Sequence, residues 1–249
     1  MLANGLLGRL TRTDARLIGR DNFLRTLVIY IVFMAGVLRF GLPWLADLAA
    51  QDERIPFALA EYYPLIIGFV VLYLGPVLAG MIVGFMLLDE RDDRTLQAIL
   101  VTPLKMSEYM LYRTIVPWMI GVIVILGEIW IIQQALLPIE QTIIIALGAA
   151  LTGPLIALMM GNFAENKVQG FALNKVFSSA GLLLIASYFV QEPLQYLFGL
   201  FPPFWFAKAY WLAGAGDPNW IVSFVVGLGL TLAVLTFLYR RFLRLVYSF

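Results

Sequence analysis

Long runs of apolar residues, separated by short polar stretches, make up most of this chain. Six runs approach or exceed the roughly 20 residues that a helix needs to cross a ~30 Å hydrocarbon core. They cover residues 23–46, 63–88, 112–136, 141–163, 174–191 and 219–239. The runs do not alternate between apolar and polar positions, as membrane β-strands do. Because a helix satisfies its own backbone groups inside lipid, the pattern predicts an all-α integral membrane protein with six transmembrane helices in one domain, residues 1–249.

The segment before the first run has an amphipathic pattern instead. Within residues 5–20, apolar side chains fall in one helical arc of about 120°, arginines cluster opposite, and Asp14 interrupts the apolar arc. The apolar positions are Leu6, Leu7, Leu10, Leu17 and Ile18, and the basic positions are Arg9, Arg12, Arg16 and Arg20. The pattern predicts an interfacial helix in residues 1–22 that lies on the membrane. Its role as a topology anchor or as a docking surface remains open.

Composition supports the membrane assignment and excludes most enzyme chemistry. The chain is 61% hydrophobic and 13% charged, whereas soluble domains are roughly 45–50% apolar and about 25% charged. It contains no cysteine and no histidine. Disulfides, thiolate or imidazole metal sites and most nucleophile–base pairs are therefore excluded, and we predict no catalytic residue and no metal site. The net charge of +1 gives no reason to expect a nucleic-acid partner.

The distribution of lysine and arginine predicts the orientation. If the N-terminus is cytoplasmic, all but three of the 17 basic residues fall on cytoplasmic segments, and the exceptions are Arg39, Arg54 and Lys208. Cytoplasmic loops normally carry this excess of positive charge. The sequence therefore predicts that both termini, and the charged insert between the second and third runs, are cytoplasmic.

That insert, residues 89–111, has a charged part followed by a short amphipathic part. Its charged residues are Asp89, Glu90, Arg91, Asp92, Asp93 and Arg94. Leu96, Ile99 and Leu100 then share one helical face, and Pro103 ends the turn. Such a helix could place its apolar face in a groove of a partner while its charges fix the register. An ordinary solvated loop fits the composition equally well.

The insert also resembles a known family signature. Its sequence, "LLDERDDRTLQAILVTPLKMSEYMLYR", is similar to that of ABC-2 type transporter permeases between their second and third spans. The matching residues are Glu90, Arg91, Thr95, Leu96, Ile99, Leu100, Thr102, Pro103, Leu104, Glu108, Tyr109 and Arg113. Arg94 departs from the glycine often found there. "GRDNFLRTL" before the first run and residues 193–211 are similar too, while residues 162–176 look most like fluoroquinolone-exporter permeases.

The resemblance implies a coupling helix and a set of partners. In that family the insert docks on cytoplasmic ATPase subunits, so Glu90, Arg91, Asp92, Asp93, Arg94, Leu96, Ile99, Leu100 and Pro103 are the expected docking residues. This chain has no G-x-x-x-x-G-K-[ST] phosphate loop. It is therefore expected to bind no cofactor itself, with ATP and Mg held by two partner ATPase subunits. A second permease chain, identical or paralogous, would complete the pathway.

The expected function is that of the membrane subunit of a bacterial ABC exporter in the plasma membrane. The substrate would be an amphipathic drug or a lipid-like molecule. A haem or cytochrome-biogenesis ABC permease is one alternative. A proton-coupled secondary transporter that uses Glu128 is another.

Three further features are candidates for the pathway or a gate. Gly75 and Pro76 interrupt the second run, and Gly80 and Gly84 follow with the spacing of close helix contacts, so packing and a gating hinge are both open. Glu128 is a carboxyl within the third run, either a binder of cationic drugs or a structural hydrogen-bonding group. Residues 192–218 are aromatic-rich and contain Pro202 and Pro203, which predicts short re-entrant or interfacial helices that act as an anchor or an outer gate.

Overall fold

The computed structural model describes residues 19–20, 22–51, 58–93 and 106–247, and the regular structure in these residues is helical throughout. Six helical segments in this part are long and apolar enough to cross a membrane, as predicted. They are span 1 (Arg25–Ala50), span 2 (Leu59–Asp92), span 3 (Met106–Ile132), span 4 (Ile139–Phe163), span 5 (Lys167–Tyr188) and span 6 (Trp220–Leu245). Most of the predicted interfacial helix lies outside the described residues, and only its end at residues 19–20 and 22 is described. Residues 94–105 of the insert lie outside them as well.

Individual helices divide several spans. In chain order they are α1 (Asn22–Ala50), α2 (Tyr63–Phe69), α3 (Gly75–Asp92), α4 (Met106–Ile132), α5 (Ile139–Ala149), α6 (Thr152–Phe163), α7 (Lys167–Ala180), α8 (Leu182–Tyr188), α9 (Pro202–Gly214) and α10 (Trp220–Tyr247). Short 3-10 helices cover Leu59–Tyr62 and Leu194–Leu200, and a π turn covers Val70–Leu74. The end of the molecule at which spans 2 and 3 adjoin residues 94–105 is called the insert end, and the opposite one the far end.

Spans 2 and 4 form the centre of the fold. In the most apolar stretch of each, 72% of the residues are buried, whereas the corresponding share in spans 1, 3, 5 and 6 is between 22% and 28%. The four peripheral spans leave large apolar side chains uncovered, such as Phe33 and Ile123. Lipid tails are as apolar as these side chains, so no hydrophobic force drives such faces into the protein. Spans 2 and 4 are thus enclosed by helices that present apolar faces outward.

Glycines allow the central spans to pack backbone against backbone. A Cβ atom at Gly80 in span 2 would lie 2.2 Å from the carbonyl oxygen of Gly153 in span 4. A Cβ atom at Gly153 would lie 2.8 Å from the carbonyl oxygen of Pro117 in span 3. Farther along span 2, a Cβ atom at Gly84 would lie 2.5 Å from the Met160 sulfur. Spans 2, 3 and 4 therefore meet at a crossing where side chains larger than hydrogen do not fit.

Span 2 is irregular just before Pro76. The Gly75 N–H donates to the Val70 carbonyl, five residues back, and closes the π turn. Proline has no N–H, and its ring clashes with the carbonyl four residues earlier, here that of Leu72. The backbone avoids the clash by widening the helix for one turn, as π turns do. The expected interruption at Gly75 and Pro76 is thus present as a π turn.

Residues between spans 5 and 6 pack on the far end through short helices. The Trp211 indole in α9 donates to the Pro64 carbonyl of span 2 over 3.1 Å. The Tyr210 hydroxyl in the same helix donates to the Ala135 carbonyl, just beyond span 3, over 2.5 Å. Pro202 and Pro203 occupy the first turn of α9, where a missing N–H leaves no bond unmade. The proline pair begins a helix that is anchored to two spans.

Two predicted boundaries differ from the observed ones for identifiable reasons. Span 5 begins at Lys167 and not at residue 174, because the Asn166 side chain caps the helix by accepting from the Gln169 N–H over 3.0 Å. Polar residues therefore extend the helix beyond its apolar part. Span 3 ends at Ile132, four residues early, because Gln133 and Ala135 have φ values of 50° and 48°, which a helix does not allow.

The crossing generates a prediction about packing. We expect Gly80→Ala to destabilise the protein by about 1–3 kcal/mol, because the new methyl group must displace the backbone of span 4. Denaturant titration in detergent measures the change. Gly127→Ala is the control, since a Cβ atom at that position meets nothing within 4 Å. A Gly80→Ala variant as stable as this control would contradict the close crossing.

Candidate functional site

A buried polar triad joins spans 2 and 3 at the insert end. The Arg113 side chain is 1% exposed, pairs with the Glu90 carboxylate, and donates from Nε to the Tyr109 hydroxyl over 2.8 Å. The Tyr109 hydroxyl donates in turn to the other Glu90 carboxylate oxygen. Each member of the triad thus contacts the other two. Glu90 comes from the end of span 2, and its two partners come from the first turns of span 3.

The triad fixes the two points between which the insert runs. A buried guanidinium is tolerated only when it is paired and hydrogen-bonded. Removing one partner from such a pair costs about 3–5 kcal/mol, because a buried charge is left without compensation. The end of span 2 and the start of span 3 are therefore held as one unit.

Two weaker contacts extend this unit to spans 4 and 5. The Arg91 guanidinium donates to the Ala164 carbonyl, just after span 4, over 3.2 Å. Lys167 at the start of span 5 lies 2.8 Å from the Asp89 carboxylate. Both partners of that ion pair are more than one third exposed, so it contributes at most about 1 kcal/mol. We call the triad with these two contacts the insert frame.

The structure divides the predicted docking residues into three groups. Glu90 and Arg91 contact other parts of this chain. Asp92 and Asp93 are exposed at the end of span 2. The others lie outside the described residues, namely Arg94, Leu96, Ile99, Leu100 and Pro103.

Sequence reasoning identified all three triad residues without recognising their contact. In the sequence, Glu90, Tyr109 and Arg113 were noted as matches to a family signature, and no contact between them was predicted. The available signal was the spacing of Tyr109 and Arg113, which are four residues apart and so share one helical face. An acid at the end of the preceding span is the natural partner for such a pair. The signature therefore describes, in part, how the insert is held.

A second polar group lies inside the membrane-spanning part. The Glu128 side chain in span 3 is 4% exposed and faces span 2 beside the π turn. A Cβ atom at Gly75 would lie 3.0 Å from Glu128 Oε2 and 3.1 Å from a Val124 methyl group. Among the described residues, this Oε2 atom has no hydrogen-bond partner. The structure thus brings together Glu128, Gly75 and Pro76, which the sequence offered as separate candidates.

The far end contains a polar cluster that the sequence did not identify. Lys208 in α9 is 3% exposed and contacts the Glu192 carboxylate, the Gln195 side-chain oxygen at 2.5 Å, and the face of the Tyr196 ring at 4.3 Å. The Gln195 amide also donates to the Ser187 carbonyl at the end of span 5 over 2.8 Å. Hydrogen bonds from Lys208 and Tyr196 hold the pKa of the Glu192 carboxyl below its ordinary value. The Glu192 carboxyl is therefore ionised and paired with Lys208 at neutral pH, and acidification that protonates it removes this pairing.

This cluster, and not the proline pair itself, ties the predicted gate segment to span 5. Pro202 and Pro203 start helix α9, and Lys208 lies less than two helical turns further on. Lys208 entered the sequence argument only as a basic residue on the far side. Its burial depends on partners from residues 192–196, and nothing in its own surroundings in the sequence indicates that contact.

The described residues give no sign of a metal centre. Among them, no group of three or more His, Cys, Asp or Glu side chains could hold a metal ion. Six helices that are long and apolar enough to cross a membrane, with apolar side chains on the outward faces of the peripheral spans, define a multi-pass α-helical membrane protein.

Within that class, the chain is similar to export permeases over nearly all of its length. A family model described as "Fluoroquinolones export permease protein Rv2686c-like" matches residues 14–239. Two relatives from Mycobacterium tuberculosis are each 31% identical over 236 residues, 93% of this chain and 91% of theirs. They are named fluoroquinolones export permease protein MT2760 (strain CDC 1551 / Oshkosh) and Rv2686c (strain ATCC 25618 / H37Rv). The chain belongs to this Rv2686c-like permease family, which confirms the resemblance found in its sequence.

The triad generates a prediction about stability. We expect Arg113→Met to lower the free energy of unfolding by about 3–5 kcal/mol, because Glu90 and Tyr109 lose their buried partner. Denaturant titration in detergent measures the loss. Lys167→Met is the control, since its exposed pair with Asp89 contributes at most about 1 kcal/mol. Equal losses in the two variants would show that the triad does not hold the spans together.

The close approach of Glu128 to Gly75 generates a second prediction about stability. We expect Gly75→Val to destabilise the protein, because the added side chain needs the space that the Glu128 carboxyl occupies. Glu128→Ala vacates that space, so the double variant should recover part of the loss, with a coupling of about 0.5–3 kcal/mol. A double-mutant cycle from denaturant titrations measures the coupling. Gly229→Val combined with Glu128→Ala is the control pair, since a Cβ atom at Gly229 in span 6 meets nothing within 4 Å. Additive effects at Gly75 would contradict the contact.

Proposed function

We propose that this chain is the membrane subunit of an ATP-driven exporter of amphipathic drugs, fluoroquinolones among them, in a bacterial plasma membrane. The names of the family and of the two relatives support export and the substrate class. The distribution of lysine and arginine supports an orientation with both termini at the cytoplasmic face. The insert end then faces the cytoplasm.

Two separate ATPase subunits supply the energy in this proposal, and they bind ATP and Mg. The chain has no phosphate-binding loop of its own. The insert is their docking point, with the apolar face of Leu96, Ile99 and Leu100 in a groove of the ATPase and its charged residues fixing the register. Only one half of a transport pathway is formed by six spans, so a second permease chain, identical or paralogous, completes it.

The observation that carries the proposal is the buried triad of Glu90, Tyr109 and Arg113. A docked helix can move a membrane domain only if its two ends are attached firmly to the spans. The triad provides such an attachment for spans 2 and 3, and Arg91 and Lys167 extend it to spans 4 and 5. A push on the insert would therefore displace the ends of four spans together.

The central crossing supports transmission of that displacement to the far end. Span 2 continues from the triad through the crossing at Gly80 to the π turn beside Glu128. Its outer part then contacts α9 through Pro64 and Trp211. Packed helices move as rigid bodies or slide by small steps, because a packed interior does not deform continuously. Span 2 is thus the direct route from the insert to the outer segment, whose helix α9 acts as the outer gate.

A proton-coupled carrier is the second candidate function, and Glu128 is the observation that favours it. A carboxyl buried within a span, with an oxygen atom that has no partner among the described residues, marks a functional position by default. Such a carrier would need no ATPase and would respond to a pH gradient. The family relation favours the exporter subunit instead, and it also favours a drug exporter over a haem or cytochrome-biogenesis permease.

Reconstituted vesicles distinguish the two functions and test the docking. With the ATPase subunits present and no pH gradient, we expect ATP-dependent drug efflux that Leu96→Asp lowers at least about tenfold, the effect of ~1.4 kcal/mol of lost docking energy. Efflux driven by a pH gradient in the absence of ATPase subunits would establish the carrier and contradict the exporter proposal.

The matched control is Val168→Asp, which adds the same charge at a position that is 78% exposed at the same end of the molecule. We expect it to retain efflux within about twofold, because a lone exposed substitution rarely changes stability by more than about 0.5 kcal/mol. Charge reversal at Glu90 is a poor test, since it would place a cation against buried Arg113. Normal ATP-dependent efflux by the Leu96→Asp variant, at equal expression, would exclude the insert as the docking point.

A further inference from the structure

A groove at the insert end of span 6 combines exposed arginines with apolar surface. It has a volume of about 510 Å³ and is lined, in the described part of the chain, by Ala233, Thr236, Phe237, Arg240, Arg241 and Arg244. All six side chains are exposed. The volume lies within the roughly 300–1,000 Å³ that is usual for small-molecule sites. Neither the triad nor the crossing uses any of these residues.

The lining residues form one stripe along α10. Their spacing of three or four positions places them on a single helical face. The apolar end at Ala233 and the basic end at Arg244 are separated by ~16 Å along the helix axis. That length is about half the thickness of the hydrocarbon core. The apolar part therefore lies at the depth of lipid tails, and the arginines lie at the depth of lipid headgroups.

The positive charge of the stripe is not neutralised by the described part of the chain. The ion pairs found there join Arg113 to Glu90, Lys167 to Asp89 and Lys208 to Glu192. The Arg241 guanidinium lies 4.3 Å from the centre of the Phe163 ring, which positions it from the end of span 4 without changing its charge. Three guanidinium groups thus remain available to one anionic group.

An anionic phospholipid matches both halves of this groove. Guanidinium groups bind phosphate oxygens through paired hydrogen bonds, better than the compact ammonium of lysine does. We propose that the groove binds one anionic phospholipid, with its phosphate between Arg240 and Arg244 and an acyl chain along Ala233, Thr236 and Phe237. A free phosphate or an acidic soluble protein would use only the basic half. In the orientation proposed above, the lipid belongs to the cytoplasmic leaflet.

Binding of defined lipids to the purified full-length chain tests this site. The probes are phosphatidylglycerol and phosphatidylcholine, added to the protein in detergent and counted by native mass spectrometry. We expect wild type to retain phosphatidylglycerol at least about tenfold better than phosphatidylcholine. We expect Arg240→Gln with Arg244→Gln to lose this preference, because basic side chains near the membrane surface attract anionic lipids. Phosphatidylglycerol should also raise the thermal midpoint of wild type, and that measurement needs no variant.

The control is Arg25→Gln with Lys175→Gln, which removes the same charge from two exposed positions on spans 1 and 5, outside the groove. We expect it to keep the preference within about twofold. If both double variants lost the preference for phosphatidylglycerol equally, the preference would depend only on the total positive charge, and the proposal would be overturned. Equal retention of the two lipids would overturn it too, as would displacement of the lipid by millimolar inorganic phosphate, which indicates a site for the phosphate group alone. None of these outcomes depends on transport, so the lipid site and the exporter function can fail separately.

Discussion

The close approach of spans 2 and 4 at Gly80 and Gly153 is the contact on which the rest of the structure depends. Inside a bilayer, water does not drive helices together, so association depends on packing contacts and a few hydrogen bonds. Backbones that touch at the glycines give many such contacts in a small area. Pro117 of span 3 meets the same point. Spans 2 and 3, which carry the triad and Glu128, are therefore positioned against span 4 by one crossing.

Polar contacts lie on both sides of this crossing, toward the insert end and toward the far end. The insert frame fixes the ends of four spans, and the Lys208 cluster fixes the segment between spans 5 and 6 to the end of span 5. Between them lies Glu128, which faces the π turn in the middle of span 2. The transport mechanism proposed above needs rigid parts joined at a few points that yield. The π turn is the point at which span 2 departs from a rigid rod.

The sequence predicted some features of the polar sites and missed others, for one physical reason. Tyr109 and Arg113 share a helical face because of local spacing, so their proximity could be read from the chain. Their partner Glu90 is about twenty residues away across the insert, and its direction depends on how spans 2 and 3 cross. Lys208 likewise becomes buried only through residues 192–196. Contacts between helices are set by crossing geometry, which local patterns do not encode.

The sequence by itself determined that this is an all-α membrane protein with six spans, and that it carries the signature of its permease family. These features follow from a constraint that acts along the chain, since lipid requires long apolar helices wherever it is crossed. Only the tertiary structure decided that spans 2 and 4 are central, that Gly75 leaves space for the Glu128 carboxyl, and that Glu90 faces Arg113. Span ends also shifted where the Asn166 cap or positive φ values after Ile132 outweighed apolar length. Burial and pairing depend on which helices become neighbours, and that choice is made in three dimensions.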